Sequence, residues 1–108
     1  MKKYLLINHY SWDGDWGVSQ SLIFDSKGEA YNKAILELQD ERLSAEADGA
    51  AVVNATGKDN GYLEQEYQKL NGEELFYWED FGDSIIFARY GLSSAYHIEW
   101  TIQEINID

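Results

Sequence analysis

The amino-acid sequence predicts an α+β fold: an antiparallel sheet of four to five strands with two helices packed on one face, in the order β-β-α-(β)-α-β-β-β. Three observations carry that expectation. From Tyr96 to Gln103 the residues alternate, with Tyr96, Ile98, Trp100 and Ile102 on one face and His97, Glu99, Thr101 and Gln103 on the other. Such alternation marks a strand with one face on a core and one face wet, the habit of antiparallel sheets. Ser26 followed by Glu29 fits a capping box, and Tyr31, Ala34, Ile35 and Leu38 follow at helical spacing. The chain has no proline, so stops and turns fall to Gly, Asn and Asp, which punctuate the strand-like runs near both ends.

Each element has its own reason. Tyr4 to Tyr10 opens with a continuous apolar run (Tyr4, Leu5, Leu6, Ile7), as expected of a strand covered on both faces and central in a sheet. Trp12-Asp13-Gly14-Asp15-Trp16-Gly17 reads as a turn, because Asp-Gly supplies the positive φ of a tight connection. Val18 to Phe24 is the next strand, with Val18, Leu22 and Phe24 on one face. The first helix starts after Ser26, gains the favourable Glu29–Lys33 spacing, and is expected to reach Ser44–Ala47 and stop by Gly49. Ala51-Val52-Val53 fits either a short strand or a packed connector. Asp59 or Asn60 can cap a second helix, Tyr62 to Leu70, whose stripe is Leu63, Tyr67 and Leu70 and whose stop is Asn71-Gly72. Glu74 to Asp80, Ser84 to Tyr90 and Tyr96 to Ile107 are strands, joined through Phe81-Gly82-Asp83 and Gly91-Leu92-Ser93-Ser94. After Ile102 the apolar positions move to Ile105 and Ile107, and such a change of phase predicts a bulge near Gln103-Glu104.

Length and composition bound the function. A chain of 108 residues fits a single domain, and 44% hydrophobic residues are too many for a disordered acidic tail. There is no cysteine, hence no disulfide framework and no thiol nucleophile, which suits a reducing compartment. Met1-Lys2-Lys3 and the apolar run to Ile7 imitate a signal peptide, but Asn8-His9 end the run early. A cytoplasmic protein is expected. Charge is uneven. Residues 1–33 hold four acids and four bases, whereas residues 34–108 hold sixteen acids and four bases and carry the whole net charge of −12. Such a surface repels nucleic acid and anionic membrane, and it attracts basic proteins.

Motifs for chemistry are weak. His9 and His97 lie at strand ends that could adjoin, with Asp13 or Glu99 near, but no HxxxH or HExxH spacing occurs. Asp13-Gly14-Asp15 opens like a calcium loop and lacks the later oxygen ligands. Neither GxSxG, GxGxxG nor GxxxxGK[ST] is present. No catalytic, cofactor or metal residue is therefore assigned. The remaining signal is aromatic rings amid carboxylates, in which rings anchor a partner and acids steer it. The expected partner-binding residues are Trp12, Asp13, Asp15 and Trp16 at the turn, Glu37, Asp40 and Glu41 on the outward side of the first helix, and Glu73, Glu74, Glu79 and Asp80 at the following strand. The first functional expectation is a small acidic interaction protein that binds a basic protein, in its sharpest form an inhibitor that mimics nucleic acid. The second is a small-ligand or carbohydrate binder, or a weak hydrolase, using Trp12, Trp16, Asp13 and Asp15.

Overall fold

The computed structural model describes residues 1–12, 15–53, 74–91 and 95–107, with only the backbone at Trp12 and over 15–19. The strands are β1 (Lys2–Trp12), β2 (Asp15–Phe24), β3 (Ala51–Val52), β4 (Leu75–Asp80), β5 (Ser84–Tyr90) and β6 (Ala95–Asn106). The helix α1 (Lys27–Ala47) joins β2 to β3. All six strands share one sheet in the order β2-β1-β6-β5-β4-β3. Every neighbouring pair is antiparallel except β3 and β4, which are parallel.

This corrects the expected fold class. The sheet is mixed and has six strands, rather than four to five antiparallel ones, and α1 is the one helix among the described residues. The second helix expected over 62–70 lies outside them. The additional strand and the parallel pairing have one origin. Ala51 N–H donates to the Glu74 carbonyl at 2.8 Å, and Val53 N–H donates to the Phe76 carbonyl at 3.0 Å. The segment closes the outer edge of β4, whose carbonyls need donors. Two residues are too few to display a sequence period, so only the hydrogen bonds reveal the strand.

α1 forms where its caps require it. Ser26 has extended backbone (φ −136°, ψ 153°), and its Oγ accepts from Glu29 N–H at 3.1 Å. At the other end Gly49 takes φ 83°. Gly49 N–H donates to the Glu46 carbonyl at 3.0 Å, and Ala50 N–H donates to the Ala45 carbonyl at 2.9 Å. That pair of bonds is a Schellman stop, for which glycine is favoured because it adopts positive φ without a Cβ clash.

The buried side of α1 is mostly alanine: Ala30, Ala34 and Ala45, with Leu38. Small side chains let the helix lie close to the sheet. Beneath it are Leu6, Phe76, Ile85, Phe87, Ile98, Trp100 and Ile102. Ile98, Trp100 and Ile102 are buried as the alternation requires, and Tyr96 is half-buried. The opposite face of β6 is less wet than expected, since His97, Glu99 and Thr101 are half-buried and only Gln103 is exposed. β4 is closed on both faces, with Leu75, Phe76 and Tyr77 buried in succession.

The bulge expected near Gln103-Glu104 does not occur. β1 and β6 stay in step from Lys2↔Asn106 through Tyr4↔Glu104 to Trp12↔Tyr96. The apolar phase changes because coverage changes: on the helix-facing side Ile102 is buried and Glu104 exposed, while Ile105 is half-buried on the other face. The sheet's irregularity lies instead between β1 and β2. His9 faces Ser19 and Ser11 faces Trp16, so Gly17 and Val18 together oppose Tyr10. One extra residue on β2 there is a bulge. β1 reaches Trp12 and β2 begins at Asp15, so strand takes up both ends of the six-residue turn expected over 12–17.

Candidate partner-binding surface

The acids expected to face a partner are largely engaged within the fold. Glu37 Oε2 accepts from Trp100 Nε1 at 2.6 Å and from Asn8 Nδ2 at 3.4 Å, and its Oε1 lies 3.6 Å from Lys33 Nζ. Glu41 Oε2 accepts from the Tyr96 hydroxyl at 2.8 Å. Both glutamates are half-buried, which corrects their expected outward placement. Each lies three residues beyond a buried position, Ala34 or Leu38, so the turn of the helix carries it onto the flank of the packed side. Asp80 accepts from the Tyr31 hydroxyl and, at 2.8 Å, from Gly82 N–H. Glu79 accepts from the Tyr77 hydroxyl. Four of the carboxylates expected at a binding face thus accept hydrogen bonds from Trp100, Tyr96, Tyr31 and Tyr77.

Glu74 has a different role. Arg89 is in phase with Ile85 and Phe87 on β5 and is buried with them. A buried guanidinium needs carboxylate partners. Glu74 is one, and Asp48 at the end of α1 is the other, at 2.8 Å. Burial works against the Arg89 charge, but these carboxylates, together with Tyr96, outweigh it and hold its pKa above the usual arginine value. Tyr96 is therefore shared by Glu41 and Arg89. Burial first, and Glu41 second, push its hydroxyl pKa well above the usual tyrosine value.

The linear charge asymmetry is reduced by folding. Lys2 pairs with Glu104 at 3.1 Å, Lys27 pairs with Asp83, and Lys33 lies by Glu37. Three of the four lysines in the neutral first third thus reach acids of the remainder, while Lys3 pairs with Asp25. At the hairpin, Trp12 stands opposite Asp15 and Tyr96 in register, and Trp16 opposite Ser11. Asp13 and Glu73 lie outside the described residues. The structure brings Trp12, Tyr96 and Glu41 to one end of the sheet, and places Glu74, Glu79 and Asp80 on β4 or beside it, three strands from β1.

The histidines do become neighbours across β1 and β6. His9 faces Glu99, and Ser11 faces His97. Burial lowers the His97 pKa, and Glu99 opposes that shift. Among the described residues no three potential ligands group for a metal. Nor is any helix among them long and apolar enough to cross a membrane.

What stays open is the outer side of α1. Leu36, Asp40 and Leu43 follow at i, i+4 and i+7, so they form one stripe. Leu36 is 59% exposed and Leu43 63%, and Asp40 between them is exposed. Among the described residues the Asp40 carboxylate has no ion pair or hydrogen bond. Sequence reasoning found Asp40 and missed the leucines. The available signal was their phase, opposite to Ala34 and Leu38.

No protein-family model, curated protein or solved structure matches this chain.

Proposed function

We propose that the protein binds a basic, partly apolar segment of another protein along the outer side of α1. The observation that supports this is the Leu36–Asp40–Leu43 stripe, in which two exposed leucines bracket a carboxylate that has no partner among the described residues. Leucines supply contact area that gains from leaving water, about 25 cal/mol per Å². Asp40 offers a cation its counter-charge. Glu37 and Glu41, fixed by Trp100 and Tyr96, add negative potential along one flank without needing to be ordered on binding. The net charge of −12 steers a basic partner toward the molecule.

The nucleic-acid-mimic form has less support. Glu37, Asp40 and Glu41 span about 6 Å of helix rise, a density near that of one DNA strand, with about 3.4 Å per charge. A mimic must continue the row, yet the acids further out are engaged by Lys2, Lys27 and Arg89. The cysteine-free composition suits the cytoplasm, where this reading places the protein.

The test uses a labelled amphipathic peptide of leucine and lysine and compares two variants of equal net charge. Asp40→Lys is expected to slow association at least fivefold, while Glu104→Lys, on β6, changes it less than twofold. Binding should weaken from 50 to 300 mM salt. Equal effects of the two reversals would mean that the peptide responds to total charge alone, and the α1 surface would be the wrong site.

A further inference from the structure

β2 is an edge strand of unusual composition. Among the described residues it pairs with β1 on one side, and no strand pairs with the other. Edge strands are normally protected by lysine, other charges, proline or a bulge within the exposed stretch. From Trp16 to Phe24 there is no charged residue and no proline. The bulge at Gly17-Val18 stands at one end and leaves Ser19 to Phe24 in regular register with β1, from His9↔Ser19 to Tyr4↔Phe24. Gln20, Ser21, Leu22 and Ile23 are all exposed. Leu22 at 48% and Ile23 at 59% point to opposite faces, so both faces of this edge are open there, while Phe24 at its end packs against the core.

We propose that β2 is a self-association edge, on which a second copy of this chain adds its own β2 antiparallel to the first. The charge distribution selects the second copy as occupant. Two molecules of net charge −12 repel wherever their acidic parts meet. The acids are concentrated in residues 34–108, whereas residues 1–33 are neutral and the β2 window carries no charge at all. β2 is thus the edge at which two copies approach with least repulsion. A basic partner gains nothing there, because the window offers it no carboxylate. The geometry is also self-complementary. A two-fold axis normal to the sheet makes the two β2 strands antiparallel, keeps both α1 helices on the same side, and sets like faces together. Leu22 then meets the Gln20–Leu22–Phe24 side of its copy, and Ile23 meets the Ser19–Ser21–Ile23 side. The six-strand sheet becomes twelve-stranded, and the open backbone groups of both edges are satisfied.

This inference does not depend on the α1 surface, and salt separates the two. Attraction of a basic peptide weakens as salt rises. Association of two acidic copies strengthens, because screening reduces their mutual repulsion. The experiment is sedimentation velocity of the full chain from 5 to 300 μM, at 50 and 300 mM salt. The mass is expected to rise from 12.4 kDa toward twice that value, and to do so at lower concentration in high salt. Ile23→Lys is the decisive variant. It makes each chain less negative, so an effect of total charge predicts tighter association. It also places a cation on the shared edge, so the proposed pairing predicts at least a tenfold weaker dimer. Leu36→Lys changes the charge equally on the outer side of α1 and should leave the dimer no weaker. Circular dichroism of Ile23→Lys checks that the exposed substitution leaves the fold intact. A chain that stays at 12.4 kDa up to 300 μM in 300 mM salt overturns the proposal. So does a dimer that Ile23→Lys leaves unchanged or strengthens.

Discussion

The meander β4–β5–β6 and the hairpin β1–β2 are both antiparallel, yet they carry their apolar residues differently. Each strand of the meander has a neighbour on both sides, and most of its helix-facing residues are buried. In the hairpin β1 has two neighbours, and Leu6 is buried. β2 has one neighbour among the described residues, and Leu22 and Ile23 stay about half exposed. An apolar residue in a strand is therefore buried by the rank of its strand in the sheet and by the reach of the helix above it. Alternation selects the face; it does not supply the cover.

The largest effect that tests this difference is at Trp100. It is 1% exposed under α1, and Trp100→Ala is expected to cost about 3–5 kcal/mol. Leu22→Ala, at the open edge, should cost less than about 1 kcal/mol in the monomer, since the residue is already 48% exposed. Both are read from urea unfolding at low protein concentration, where association at β2 does not contribute. Equal costs would mean that the hairpin and the meander are one continuous core.

Trp100→Phe sharpens the same point. Phenylalanine keeps most of the ring's volume but removes the Nε1 donor from Glu37. A hydrogen bond to a charged group contributes about 1.5–3 kcal/mol, and the half-buried position of Glu37 favours the lower end. In the Glu37→Gln background the loss should shrink, because the donor then serves a neutral acceptor. A double-mutant cycle with no coupling would remove Glu37 from the structural account and return it to the free surface.

Much of the fold is legible in the residues, and the exceptions share a cause. The extents of α1, β4, β5 and β6 follow from caps, turns and period. β3 does not, because its evidence is two hydrogen-bonded residues and no pattern. The steady register of β6 past Ile102 is also hidden, since a change of phase and a change of cover leave the same trace in sequence. Of the proposed surface only Asp40 was legible as an exposed acid. Glu37, Glu41, Glu74, Glu79 and Asp80 carry charge, and charge alone suggests solvent, but their acceptor roles depend on which tyrosine, tryptophan or arginine the fold brings near. Two phases gave advance notice. Arg89 alternates with Ile85 and Phe87, and Glu37 and Glu41 follow Ala34 and Leu38 by three residues. A charged residue in phase with a core needs a named partner before it is assigned to a surface.

The cap gives a smaller effect. Ser26→Ala removes the acceptor of Glu29 N–H and should cost about 1 kcal/mol. Ser26→Asp should retain most of that stability, since a carboxylate caps as well and favours the positive end of the helix dipole. The measurement is thermal melting of the three proteins. Because Trp100 is buried in one core with Ala30, Ala34 and Leu38 of α1, the loss should appear as an exposure of Trp100 seen in tryptophan fluorescence.

The smallest effect lies on the face away from α1, where the two regions meet. His97 of β6 stands opposite Ser11 of β1 and Ala88 of β5, and Glu99 follows on the same face opposite His9. Burial lowers the His97 pKa from its ordinary 6.5, and the nearby Glu99 carboxylate limits the shift. Between the folded value and 6.5 the unfolded chain binds more protons than the native one, so stability rises with pH across that window. Acidification below 6.5 therefore removes stability as the unfolded histidine takes up its proton first. His97→Gln should flatten this part of the profile between pH 7.5 and 5.5, and Glu99→Gln should steepen it, because the neutral side chain no longer favours the imidazolium. Urea midpoints measured across that range for the three proteins check the sign. A profile that His97→Gln leaves unchanged would show that the seam between hairpin and meander admits water at His97, and that its half-burial does not penalise charge.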